Sequence, residues 1–127
     1  MREALAIQES TLGPNNPQVA TSLNNLALLL REKGDYVGAE QLYSRALTIR
    51  EKALGPDHPD VANSLNNLAA LLYDKGDYTG AEPLYRRALA IDEKALGPDH
   101  PDTLIVKKNL DELLQKSNQA PVPKAKN

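Results

Sequence analysis

Ser22-Leu-Asn-Asn-Leu-Ala-Leu-Leu-Leu-Arg-Glu-Lys-Gly-Asp-Tyr36 returns further along the chain as Ser64-Leu-Asn-Asn-Leu-Ala-Ala-Leu-Leu-Tyr-Asp-Lys-Gly-Asp-Tyr78. A Leu-Gly-Pro tripeptide also recurs, with its glycine at positions 13, 55 and 97. The period is 42 residues, and repetition on that scale is the sequence signature of an array of small structural units. Two full copies, Glu9–Arg50 and Glu51–Asp92, agree at about two-thirds of positions. Such arrays stack each unit on its neighbours and present extended binding surfaces.

Each copy reads as two helices. Leu23, Leu26, Ala27 and Leu30 fall at i, i+3, i+4 and i+7, one stripe of a helix. Ala39, Leu42, Tyr43 and Ala46 repeat the spacing, and Ile49 and Ala53 extend it. Between the stripes, Lys33-Gly34-Asp35 supplies a cation for a last turn, a glycine for the left-handed residue beyond it, and a cap for the next helix. The second break is Leu54-Gly55-Pro56-Asp57-His58-Pro59-Asp60. There Gly55 ends a helix, Pro59 suits the first position of the next, His58 is the expected N-cap, and Asp60 favours the positive helix end. Nothing alternates with a period of two, so strand-built repeats are excluded. Gly38 reads as an exposed first-turn position that tolerates alanine.

These residues resemble the tetratricopeptide repeat. Its pattern of a first helix (A), a Gly-Asp-Tyr turn and a second helix (B) with small residues at crossings appears as Leu26-Ala27, Gly34-Asp35-Tyr36, Ala39, Tyr43 and Ala46. It appears again as Leu68-Ala69, Gly76-Asp77-Tyr78, Ala81, Tyr85 and Ala88. The family repeat is about 34 residues; the longer unit here is similar to the kinesin-light-chain type. The resemblance implies an all-α, right-handed α-solenoid of antiparallel helix pairs, with about six helices. The expected organisation is a repeat array over 1–117 and a disordered tail over 118–127. Within the array, 1–12 is the lone helix B of a partial repeat, 13–54 and 55–96 are full repeats, and 97–117 is a capping helix A. In that last unit Lys107 stands where Leu65 stood, Asp111 where Ala69 stood and Asn118 where Gly76 stood. Charges at former core positions fit the polar cap that ends a soluble array.

Composition narrows the function classes. The 127 residues carry a net charge of −2 and no cysteine, which excludes disulfides and thiolate metal sites and leaves no basic footprint for nucleic acid. No apolar run approaches the roughly 20 residues that span a bilayer, and no apolar signal core follows Met1. The expectation is a cytoplasmic protein with no cofactor and no membrane partner. His58 and His100 occupy equivalent loop positions, where the first copy has Asn16. Stacking would hold them roughly 10 Å apart, so capping outweighs metal binding. No Ser or Thr lies in a nucleophile elbow or glycine-rich phosphate loop, and an enzyme is not expected.

In tetratricopeptide arrays the A helices line a concave groove. Carried over by register, the resemblance assigns to it Asn24, Asn25, Leu28 and Arg31, then Asn66, Asn67, Ala70 and Tyr73, then Lys108, Asn109, Glu112 and Gln115. Asn25, Asn67 and Asn109 form a ladder that, in kinesin-light-chain-like repeats, contacts the backbone of an extended peptide. An asparagine amide can satisfy both groups of a peptide bond. The same side chains could equally hydrogen-bond neighbouring helices and set their orientation, so both readings stand here. Tyr73 replaces Arg31 between copies and is either a groove anchor or a partly exposed side chain against its own helix. Arg31 and Lys108, offset by Glu32, Asp74 and Glu112, do not make a clamp for acidic tails. The expected function is a protein-interaction scaffold taking a peptide or helix. Its rival is an assembly element, or a fragment of a larger scaffold, that self-associates through exposed terminal helices.

Overall fold

The computed structural model describes residues 16–119. Among them are five helices and no strand: α1 (Pro17–Glu32), α2 (Tyr36–Leu54), α3 (Pro59–Asp74), α4 (Tyr78–Ala95) and α5 (Pro101–Gln119). The expected helix over 1–12 and the tail from residue 120 lie outside the described residues. Helix α5 runs two residues past the boundary expected at 117. Asn118 replaces the glycine that ends α1 and α3, so nothing there enforces the left-handed turn.

Asp35 joins the two helices of the first repeat by serving both. Gly34 takes φ +88°. Its N–H bonds to Arg31 O (3.0 Å), and Asp35 N–H bonds to Leu30 O (2.8 Å), a Schellman closure of α1. The Asp35 carboxylate then accepts from Gly38 N–H at 3.0 Å and caps α2. Asp77 repeats the arrangement, bonding through its N–H to Leu72 O at 2.8 Å and accepting from Gly80 N–H at 2.9 Å. The same cap bears on the expectation for Gly38. A Cβ there would meet Asp35 Oδ2 at 2.5 Å, so alanine competes with the cap. The longer loops are capped as expected: Asn16, His58 and His100 each accept from the N–H two residues on, at 2.9, 2.9 and 3.0 Å.

Helices pack on their chain neighbours, α1 with α2 and α3 with α4, while α3 lies on α2 and α5 on α4. The stripes supply the contacts. Val19, Ala20, Leu23 and Leu26 pack with Ala46 and Ile49. Ala27, Ala39 and Tyr43 meet Leu68 and Leu71 of the next repeat, so that cluster crosses the repeat boundary. Ala39, Ala46, Ala81 and Ala88 are fully buried, which marks them as the close-approach positions. Ala53 is exposed, and the stripe of α2 ends at Ile49 and Arg50 instead. On α5, Thr103, Val106, Leu110 and Leu113 are buried while Lys107 and Asp111 are exposed. The charged substitutions therefore face water where Leu65 and Ala69 are buried.

Candidate functional site

Helices α1, α3 and α5 carry the residues assigned to the groove. Asn25, Leu28, Lys108, Glu112 and Gln115 are exposed, and Leu28 keeps 44% of its surface. Asn24, Arg31, Asn66, Asn67, Ala70, Tyr73 and Asn109 are half-buried. The asparagines sit in different environments. Asn109 Nδ2 donates to Asn66 Oδ1 at 3.0 Å, tying α5 to α3 across the repeat boundary. Asn67 Nδ2 lies 3.5 Å from Asn63 Oδ1 on its own helix. Asn24 stands one repeat before Asn66, and its Oδ1 is buried without a hydrogen-bond partner. So the partner of Asn109 is the first asparagine of the preceding Asn-Asn pair, an offset that register alone does not give.

Charge ties the C-terminal end of α3 to both helices of the first repeat, α1 and α2. Arg31 Nε donates to Asp74 Oδ2 at 2.6 Å, and Lys75 Nζ to Glu40 Oε1 at 2.6 Å. The Tyr43 hydroxyl lies beside Arg31; burial raises its pKa, and the Arg31 charge opposes that rise. Tyr85, one repeat on, is pushed up to about 12 by burial, again against Arg31. Arg31 is thus occupied holding two repeats together. Tyr73 leans on Tyr78 with ring centroids 5.3 Å apart and a 43° tilt. That geometry is an aromatic pair, and it places Tyr73 against the next helix with part of its surface still open.

The two repeat junctions differ at one position that sequence reading passed over. Arg50, near the end of α2, is 8% exposed. Its Nη1 donates to Asp60 O (3.1 Å), Asn63 Oδ1 (2.9 Å) and Ser64 Oγ (3.0 Å) at the start of α3. Its Nη2 reaches Thr21 Oγ1 of α1 at 3.4 Å. Burial lowers the Arg50 pKa, with Asp60 pulling the other way. One repeat later the same position is Asp92, 3% exposed, with Oδ1 buried and unpartnered. Burial first, then the nearby Asp102 charge, raises the Asp92 pKa, while His100 lowers it. A cleft of about 110 Å³ opens beside it, lined by Pro59, Asn63, Asn66, Asp92, Asp102, Ile105 and Val106. The signal was present in the sequence as an Arg-to-Asp exchange at equivalent positions, directly after the buried isoleucines Ile49 and Ile91.

Among the described residues, no group of three or more His, Cys, Asp or Glu is placed to hold a metal ion, and no helix is long and apolar enough to cross a membrane.

A family model for the tetratricopeptide repeat matches residues 1–52, 22–94 and 60–121. Among solved structures, the chain resembles BtubC (BKLC) from P. vanneervenii with a TM-score of 0.84 and 29% identity. That match covers 92% of this chain and 47% of the other. It also resembles a Podosopora anserina protein of nearly identical TPR-like repeats, named after the kinesin light chain, with a TM-score of 0.75 and 28% identity. A single-residue variant of that protein gives a TM-score of 0.77 at the same identity, and each match covers 93% of this chain and 56% of the other. The chain therefore spans about half the length of these structures. No curated protein matches it.

Proposed function

The chain belongs to the tetratricopeptide repeat family, and from that premise we propose that the faces of α1, α3 and α5 form a groove that binds an extended protein segment. Folds of this family generally mediate protein–protein interaction, and BtubC and the Podosopora anserina protein share the architecture. The observation that carries the finer reading is the environment of Asn25. It is an exposed amide in the middle of a helix, beside the exposed Leu28. Asparagine is about half a kcal/mol worse than alanine as a helix former, so its presence there asks for a gain elsewhere. Asn25, Asn67 and Lys108 are the primary contacts in this reading, with Asn24 and the open face of Tyr73 beside them. Arg31, Asn66 and Asn109 shape the groove through the bonds they make between repeats.

The test is the double variant Asn25→Ala, Asn67→Ala against a partner selected from a displayed peptide library with the whole chain as bait. Stability is expected to hold or rise, while affinity falls at least about tenfold, roughly 1.4 kcal/mol. Tyr73→Ala weakens the same partner. Unfolding of the double variant would make both asparagines structural, and unchanged binding would move the site off this face.

Self-association is the second reading, supported by Leu104 and Ile105, which are 48% and 53% exposed and adjacent at the start of α5. Light scattering over a concentration series decides it: a constant monomer mass removes this reading.

A further inference from the structure

We propose that the cleft beside Asp92 is a cation subsite that receives an arginine side chain of the bound protein segment. The inference deepens the groove reading by naming one recognised chemistry, because the cleft shares Asn66 with the groove face.

The first repeat junction provides the internal precedent. There the space between the B helix and the start of the next A helix is filled by the chain's own guanidinium, Arg50, held by three oxygens through Nη1. At the second junction the chain supplies a carboxylate instead, and the space beside it is open. Asp92 Oδ1 is buried there with no donor, and a buried acceptor left unmatched is costly unless something brings it a proton donor. Asp102, also lining the cleft, adds a second carboxylate. His100 is committed to capping α5, its Nδ1 accepting from Asp102 N–H. Arg50 does not line the cleft, and its guanidinium is already bonded to Asn63 Oδ1 among others.

The walls fit a guanidinium better than an ammonium. Pro59, Ile105 and Val106 supply apolar surface for a flat head group and its methylene stem, while Asp92 and Asp102 supply acceptors. A planar fork matches a carboxylate with paired, charge-assisted bonds, which a point-like ammonium cannot do. A volume of about 110 Å³ is several times what one water needs and suits a single side-chain head group. Asp92 is a binding group in this account, and its buried state in the free protein is the cost that the incoming cation offsets.

The experiment is an amide-resolved NMR titration of the full chain with N-acetyl-arginine amide, and separately with N-acetyl-citrulline amide, its uncharged near-isostere. The arginine compound is expected to give saturable shifts confined to the Asn63 and Asn66 side-chain amides and the backbone around Asp92 and Ile105. Citrulline gives none. Asp92→Asn lowers arginine affinity at least tenfold while leaving the remaining spectrum in place. Ile105→Trp, at an exposed wall position, fills the cleft and abolishes the shifts, so the proposal stays testable should the Asp92 variant fold poorly. Equal shifts from citrulline, or unchanged affinity in either folded variant, would overturn the subsite and leave Asp92 a purely structural carboxyl. Because the probe is a single amino acid, that result is separate from the fate of peptide binding at Asn25 and Asn67.

Discussion

Replacing Arg50 by methionine removes the guanidinium that clasps the first repeat to the second while keeping most of its apolar stem. The two N–H groups of the native Nη1 are shared among three acceptors on α3, and Nη2 reaches Thr21. Bonds to a charged group contribute about 1.5–3 kcal/mol net. Two effects pull the expected loss down within that range. Burial already lowers the Arg50 pKa, so removing the charge recovers some desolvation. Ser64 Oγ can also turn back to the carbonyl one turn before it, as helical serines do. One effect holds the loss up: Ser64 is fully buried and has no recourse to water. The expected destabilisation is about 2 kcal/mol, read as a shift of the urea midpoint in far-ultraviolet circular dichroism at pH 7. Arg86→Met is the control. Arg86 is 55% exposed and makes a single i,i+4 pair with Glu82 at 2.8 Å, so it should move stability by less than about 0.5 kcal/mol. If Arg50→Met shifts the midpoint no more than this control, the clasp contributes nothing net and the two junctions are energetically alike.

The same position in the next repeat gives the opposite sign. Asp92→Asn should stabilise the free protein at neutral pH. A carboxyl whose folded pKa is raised keeps its full stability below the unfolded value of 3.8 and loses it as pH rises through the folded value. Removing it should therefore help most at pH 7 and hardly at all below about pH 4, checked by urea denaturation at both. Gly38→Ala sets better helix propensity, about 1 kcal/mol, against the Asp35 cap that a Cβ displaces, about 0.5–2 kcal/mol. It should come out neutral to destabilising, and in an Asp35→Ala background the same change should stabilise; a gain in both backgrounds would refute the cap geometry. Pro83 lies inside α4 on an exposed face where the first repeat has Gln41. Pro83→Gln restores a helix donor and should raise stability by about 1–3 kcal/mol, with no gain in a thermal melt as the refuting result.

Periodicity along the chain determined the all-α class, the two helices per repeat, and the turn that closes one helix and caps the next. These are local matters, settled within a few residues: Gly34 takes the left-handed conformation, Asp35 caps, and Ala39 and Ala46 are small enough for helices to touch. The polar exterior of α5 was legible in the same way, from Lys107 and Asp111 at former core positions. Packing between repeats decided what residue type and register could not. Asn109 bonds to Asn66 rather than standing free, Arg31 is taken by Asp74, and Tyr73 leans on Tyr78. In each case the partner lies across a repeat boundary or on the next helix, and the offset between stacked helices chooses it. Arg50 and Asp92 mark the limit most sharply. Sequence puts them at the same place in the repeat, yet the surrounding oxygens satisfy one of them, while the other is buried with an unpartnered oxygen at the edge of a cleft. A side chain's charge is written in the chain, but the groups that answer it come from segments that only folding brings alongside.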